Sequence, residues 1–329
     1  MFAMRSAFLR FVRPSRARAA GIFLLSLFCV QFLTISGAAA QSSGAIVQKN
    51  VPYVDGGGDD QKMDLYLPAQ SGFPIILYIH GGSLVLGDRK DWPLDAIGRN
   101  FARAGVGFAA MSYRLGTGHD WPAMVEDAAA AVAWLKTNIG PYGGDASNIF
   151  VFGHSSGAFI AANLCLDERY LHKFGLSLDD LSGCIPMGTV LNPSKIFAGT
   201  PEDKLLATWK WYRSVRNYFG LFPSAESFRE ADPSNHIVPG APAILVLMAD
   251  TERYQPPILP QANRFADEMK TVGVPVEIMV IPNRNHLTAL YGMANPNDPG
   301  LLKILGFVRD LAGPAAAGGS DTPSADSIR

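Results

Sequence analysis

Residues 149–152 are apolar, Ile-Phe-Val-Phe. They run into Gly153-His154-Ser155-Ser156-Gly157, and an apolar helical stretch follows over 158–167. This order of strand, G-x-S-x-G and helix constrains the chain more than any other feature. A backbone that passes from strand to helix in five residues must fold back sharply at Ser155. Glycine on each side leaves room where a Cβ would clash. The turn lifts Ser155 off the end of a strand. It also points the free N–H groups and the positive dipole end of the helix at the serine. A serine so placed reads as a nucleophile. The alternative, an ordinary serine in a glycine-rich turn, does not account for the strand before it and the helix after it.

The rest of the chain supplies a frame for such a turn. Residues 46–54, 62–67, 75–79, 106–112, 149–152, 185–189, 244–249 and 276–281 read as strands. Several are continuous apolar runs, as in strands covered on both faces. Helical patterns at 94–104, 122–138, 158–167, 260–272 and 299–311 lie between them. This alternation predicts an α/β fold whose largely parallel sheet carries helices on both faces. With 329 residues, 48% of them hydrophobic, the chain suits one large core better than two domains. The catalytic domain is expected over 41–312. Residues 191–240 are too long for an ordinary connection. They carry Trp209, Trp211, Tyr212, Tyr218, Phe219 and Phe222, which read either as a cap insertion over the site or as a helix packed on the core. The Gly-, Ala-, Ser- and Pro-rich tail over 313–329 is expected to be disordered.

The first 40 residues read as an address. Arg5, Arg10, Arg13, Arg16 and Arg18 precede the uncharged apolar run 21–35, and Ala38-Ala39-Ala40 follows. This is the pattern of a secretory signal peptide cleaved near Ala40. The run is short for a bilayer span, so export is favoured over a membrane anchor. Removal of 1–40 leaves 23 basic and 29 acidic residues, a net charge of −6. A chain so charged has no electrostatic reason to bind nucleic acid. Cys165 and Cys184 remain. The topology brings the end of the helix after Ser155 near the start of the next strand. The two cysteines are therefore either a disulfide formed in an oxidising compartment or two small buried hydrophobes.

Acyl transfer through Ser155 needs an oxyanion hole, a base and an acid. His80-Gly81-Gly82-Ser83 follows the strand at 75–79. There Gly81 and Gly82 can bring backbone donors close, with the Ser156 N–H as the other donor. His80 is expected to order this loop. His286, just past the strand at 276–281, is the one histidine after the late strands. It is the expected base, on a loop. The acid should end the strand at 244–249, where Glu252 and Asp250 are both candidates. Glu252 is preferred, because Asp250 directly continues the strand and can instead anchor the turn. His119, His172 and His236 read as surface or structural residues, and His154 as filling the turn. No H-E-x-x-H, Cys/His cluster or phosphate-binding glycine loop is present, so no metal or cofactor is expected.

With these residues in place, the chain resembles the esterase branch of the α/β-hydrolases, above all the hormone-sensitive-lipase-like and arylformamidase-like carboxylesterases. The resemblance rests on His80-Gly81-Gly82, Gly87-Asp88-Arg89, Tyr113-Arg114-Leu115, Val125-Glu126-Asp127, Trp134, Tyr142-Gly143-Gly144-Asp145, the turn at Ser155 and the loop ending at His286. It spans about residues 60–290. It implies an eight-stranded, mostly parallel sheet and hydrolysis of small-molecule carboxylic esters without a cofactor. Two features depart from it. Ser83 stands where many relatives have a third glycine, and the acid turn lacks the usual Gly-x-x-Asp. An amide substrate, and a catalytically inactive hydrolase fold serving as a binding module, are the competing expectations.

Overall fold

The computed structural model describes residues 44–193, 222, 225–253 and 258–313, all within one compact unit, Ser42–Arg329. The expected signal peptide, most of the expected cap and the tail beyond Gly313 lie outside the described residues.

Eight strands form one sheet. They are β1 (Ile46–Pro52), β2 (Lys62–Leu67), β3 (Phe73–Ile79), β4 (Gly107–Met111), β5 (Gly144–His154), β6 (Gly183–Met187), β7 (Ala243–Ala249) and β8 (Val276–Ile281). Their spatial order is β1-β2-β4-β3-β5-β6-β7-β8. β2 runs antiparallel to both β1 and β4, and every other pair is parallel. The sheet is thus the eight-stranded, mostly parallel α/β sheet expected. The principal helices are α1 (Leu94–Arg103), α2 (Ala123–Asn138) and α3 (Ser156–Leu166), with the short α4 (Arg169–His172) and α5 (Ala225–Glu230). Beyond them come α6 (Ile258–Thr271), α7 (His286–Tyr291) and α8 (Pro299–Ala312).

Side-chain alternation along the central strands explains why both faces are covered. In β3, Ile75, Leu77 and Ile79 join a core with Val125, Val132 and Leu135 of α2 and Ile160 and Leu164 of α3. Ile76 and Tyr78 face the other way, into a core with Ile97 and Phe101 of α1 and Leu301, Ile304 and Val308 of α8. Successive residues of a strand point to opposite faces, so a two-faced core needs an unbroken apolar run. Each fully buried Leu, Ile or Phe contributes about 1.5–3 kcal/mol.

Two local expectations are corrected, and one open alternative is decided. β5 begins at Gly144, five residues before the apolar run, because Gly144 pairs with Phe73 of β3. His286 is the first residue of a helix, not part of a loop. Its N-cap is Asn285, whose side chain accepts from the amides of Leu287 and Thr288 while Thr288 Oγ1 accepts from Asn285 N–H. Cys165 and Cys184 are both fully buried, free thiols. Cys184 Sγ lies 3.6 Å from the Ala161 carbonyl it points to. They take the small-hydrophobe form of the two readings, without a disulfide between them.

Phe222, from the aromatic insertion, is buried against Trp121, with ring centroids 5.7 Å apart. Trp209, Trp211, Tyr212, Tyr218 and Phe219 lie outside the described residues.

Candidate active site

The residues expected to serve as nucleophile, oxyanion hole, acid and base all fall at the carboxyl ends of strands. Gly81 and Gly82 follow β3, Ser155 follows β5, Glu252 follows β7 and His286 follows β8. In an open parallel sheet this is the edge where ligands bind.

Ser155 sits at φ 56°, ψ −121°, between strand and helix. Such a backbone costs an L-residue on the order of 1–3 kcal/mol and persists only where its surroundings fix it. The glycines show how. A Cβ on Gly153 would lie 2.1 Å from the Gly157 carbonyl oxygen, and one on Gly157 would lie 2.2 Å from that of Ile79. No larger residue fits at either place. The Ser155 amide donates to the Met187 carbonyl of β6 at 2.8 Å, which ties the turn to the neighbouring strand.

Ser155 Oγ lies 2.9 Å from His286 Nε2, and His286 Nδ1 is hydrogen-bonded to Glu252 Oε1. With its proton on Nδ1, the imidazole donates to Glu252 and accepts from the serine hydroxyl. Glu252 is buried, and its second oxygen accepts from the Ala249 amide at 2.7 Å. That bond crosses the 3₁₀ turn Asp250–Arg253, which curls Glu252 back over the end of β7. The carboxylate bonded to His286 is therefore Glu252, while Asp250 opens the turn. Gly188, at φ +66°, closes the site from below. A Cβ there would stand 3.1 Å from both Glu252 Oε1 and His286 Nδ1.

The loop after β3 lies along the other side of Ser155. A Cβ on Gly81 would come within 3.0 Å of Ser155 Cβ, and Gly82 holds φ +119° with its Cβ position blocked by the Leu86 carbonyl at 2.0 Å. The loop is pinned to α3, since the Leu84 amide donates to Ser156 Oγ at 3.2 Å. Ser156 is the first residue of α3, so its own amide has no intrahelical partner. Beneath the loop, the Tyr113 hydroxyl donates to the His80 carbonyl at 3.0 Å and its ring stacks on the His80 imidazole at 4.3 Å. Burial lowers the His80 pKa. His80 thus serves the loop as expected.

The remaining motif residues brace this edge. Arg89 is fully buried and donates to the Asp59 carbonyl, Asn50 Oδ1 and Ser112 Oγ. A Cβ on Gly87 would meet His80 Nδ1 at 2.3 Å. Arg114 grips Asp127 through its Nε and terminal nitrogen. Two contributors escaped the sequence reading. Gly188 carries no motif beyond being a glycine past the end of β6. His154 is more than a filler: its Nε2 lies 2.9 Å from the His286 carbonyl oxygen.

Among the described residues, no group of three or more His, Cys, Asp or Glu is placed to hold a metal ion. No described helix is long and apolar enough to cross a membrane.

Comparison with known proteins agrees with this architecture. The family model for the alpha/beta hydrolase fold matches residues 76–290. An isoprenylcysteine alpha-carbonyl methylesterase of Arabidopsis thaliana is 25% identical over 281 residues, covering 80% of this chain and 62% of the relative. Esterase LipC of Mycobacterium tuberculosis is 26% identical over 239 residues, covering 70% and 58%. The chain thus spans about three fifths of the length of these curated relatives. The solved structure of esterase B from Lactobacillus rhamnosis superposes with a TM-score of 0.65 at 19% identity, over 82% of this chain and 88% of that one. An esterase from Pyrobaculum calidifontis gives a TM-score of 0.63 at 23% identity, over 81% and 86%. A parallel sheet with Ser155 at its central turn, and a family match across 76–290 that takes in both that turn and His286, have one reading: the chain belongs to the α/β-hydrolase fold family.

Proposed function

We propose that the protein is a serine carboxylesterase in which Ser155, His286 and Glu252 form the catalytic triad. The observation that carries this reading is the unbroken hydrogen-bond chain from Ser155 Oγ through His286 to Glu252. The esterase names of the curated relatives support the reaction class.

His286 Nε2 takes the hydroxyl proton as Ser155 Oγ attacks the ester carbonyl carbon. Glu252 holds the imidazole in the Nδ1–H tautomer and stabilises the imidazolium. The carbonyl oxygen becomes an oxyanion, met by the amides of Gly81, Gly82 and Ser156 at the positive end of α3. As the tetrahedral intermediate collapses, His286 gives the proton to the departing alkoxide, and the acyl-enzyme remains. Water then loses a proton to His286 and attacks the acyl carbon, and as the acid is expelled the imidazolium returns that proton to Ser155 Oγ, which restores both groups. No cofactor enters any step. The substrate is a small-molecule ester, and the chain is exported after cleavage near Ala40. That last step rests on the arginines and the apolar run ahead of Ala38-Ala39-Ala40.

The test is Ser155→Ala, measured on a panel of p-nitrophenyl esters from acetate to palmitate and with a fluorophosphonate label. Activity should fall by more than about a hundredfold and labelling should vanish, given the usual cost of losing a triad member. Comparable turnover by the variant would place the nucleophile elsewhere. An inactive wild-type protein that takes no label would leave a binding module.

A further inference from the structure

The residue that precedes the nucleophile reaches across to the residue that activates it. His154 is the last residue of β5, paired with Met187 of β6, so its backbone is held by the sheet. Its ring is almost wholly buried. Nε2 lies 2.9 Å from the backbone carbonyl oxygen of His286, an acceptor, so this nitrogen carries the hydrogen and donates. The two imidazoles lie 4.8 Å apart, inclined at 37°. On its other side His154 borders the oxyanion loop: a Cβ on Gly81 would come within 3.0 Å of the His154 carbonyl and 3.2 Å of its Nδ1.

We propose that His154 is a positioning residue, one that sets the gap between Ser155 and His286 by holding the His286 main chain against the turn that carries the nucleophile. This rests on the triad reading above. His286 begins a helix of only six residues, α7, beyond the end of β8. Its ring is aimed by Glu252 on one nitrogen, but a bond to the ring does not fix the distance of its backbone from the serine. The His154 donor does, because His154 and Ser155 are consecutive and share one rigid turn. The base is thereby referenced to the nucleophile through a single residue.

The surroundings of His154 also keep it neutral. Burial, and next the neighbouring His286, hold its pKa down to about 4, against smaller upward pulls from the bond to the His286 backbone and from Glu252. At neutral pH it donates from Nε2 and adds no positive charge beside an imidazole that must itself become positive during turnover.

Three variants and one spectrum test this. His154→Leu keeps comparable bulk and removes the donor. Its kcat should fall about ten- to a hundredfold, the scale of a slight misplacement of reacting groups, while KM stays within about twofold because no substrate contact is lost. His154→Gln places an amide nitrogen at the reach of Nε2, and its kcat should recover to within about threefold of wild type. Ser155→Ala, run in parallel, separates the two claims. If it is dead while His154→Leu has wild-type kcat, the positioning role falls and the triad stands. If Ser155→Ala is active, the triad itself falls. Equal damage in the Leu and Gln variants, at matched thermal midpoints, overturns the role of the donor. Should His154→Leu fail to fold, long-range ¹H–¹⁵N spectra of the wild-type protein at pH 7 decide: His154 must be neutral with its proton on Nε2, and an Nδ1–H tautomer or an imidazolium refutes the assignment.

Discussion

Glu252→Gln is the sharpest perturbation of the site, because the surroundings dictate how the amide must sit. In the native protein Glu252 Oε2 accepts from the buried Ala249 amide at 2.7 Å, and Oε1 bonds His286 Nδ1. Glutamine has one acceptor end and one donor end. If its oxygen keeps the Ala249 bond, its NH₂ group faces Nδ1. That nitrogen must then be unprotonated, which moves the ring proton to Nε2, the position that should accept from Ser155. If the amide is flipped, its NH₂ group confronts the Ala249 N–H, leaving a buried donor unsatisfied at about 1–3 kcal/mol. The first arrangement is favoured, and it holds His286 in the wrong tautomer. A triad locked this way loses about four orders of magnitude in kcat, equivalent to ~5 kcal/mol of transition-state stabilisation. The assay is steady-state hydrolysis of p-nitrophenyl butyrate by wild type, Glu252→Gln and Asp250→Asn, with thermal melts to confirm folding. Asp250 is half-buried at the start of the turn, and Asp250→Asn should stay within about threefold of wild type because it leaves the Glu252–His286 bond in place. A Glu252→Gln enzyme within tenfold of wild type, beside a crippled Asp250→Asn, would refute the reasoning.

Two further outcomes follow from the same geometry. Gly188→Ala puts a side chain at φ +66° with its Cβ 3.1 Å from both Glu252 Oε1 and His286 Nδ1. The left-handed backbone costs about 1–2 kcal/mol, and the displaced pair should lower kcat about tenfold; an unchanged kcat would show that the pair does not depend on that clearance. Stability should fall on acidification from pH 6.5 towards 4. His154 has its pKa lowered to about 4, and His80 is lowered in the same direction by burial, whereas an unfolded histidine titrates near 6.5. Within that window the unfolded chain binds protons that the folded chain refuses, so unfolding becomes more favourable as pH falls. Thermal midpoints recorded across the window should drop for wild type and drop less steeply for His154→Gln; a flat wild-type profile contradicts this.

What the sequence made legible, and what it hid, follows from how local each signal is. Strand periods, the glycine-flanked Ser155 and the glycine pair after β3 are written in consecutive residues, and the sheet assembles around them as expected. The helical start at His286 was missed because six residues carry too little periodicity to outweigh a loop of Pro282-Asn283-Arg284-Asn285. Its real signal is the Asn285 cap with Thr288 three residues on. Gly188 and His154 were opaque for a different reason. Each acts through partners distant in the chain, Gly188 by leaving space below Glu252 and His286, and His154 by donating to a carbonyl 132 residues away. The proposed acid shows where the boundary falls. Spacing alone offers Asp250 and Glu252 at the same strand end. Only the 3₁₀ turn, which folds Glu252 back onto the Ala249 amide, decides which carboxylate meets the imidazole. Glutamate's extra methylene lets one oxygen anchor to its own strand while the other faces His286. A turn without the Gly-x-x-Asp pattern can therefore still deliver a buried carboxylate to the imidazole, through side-chain length.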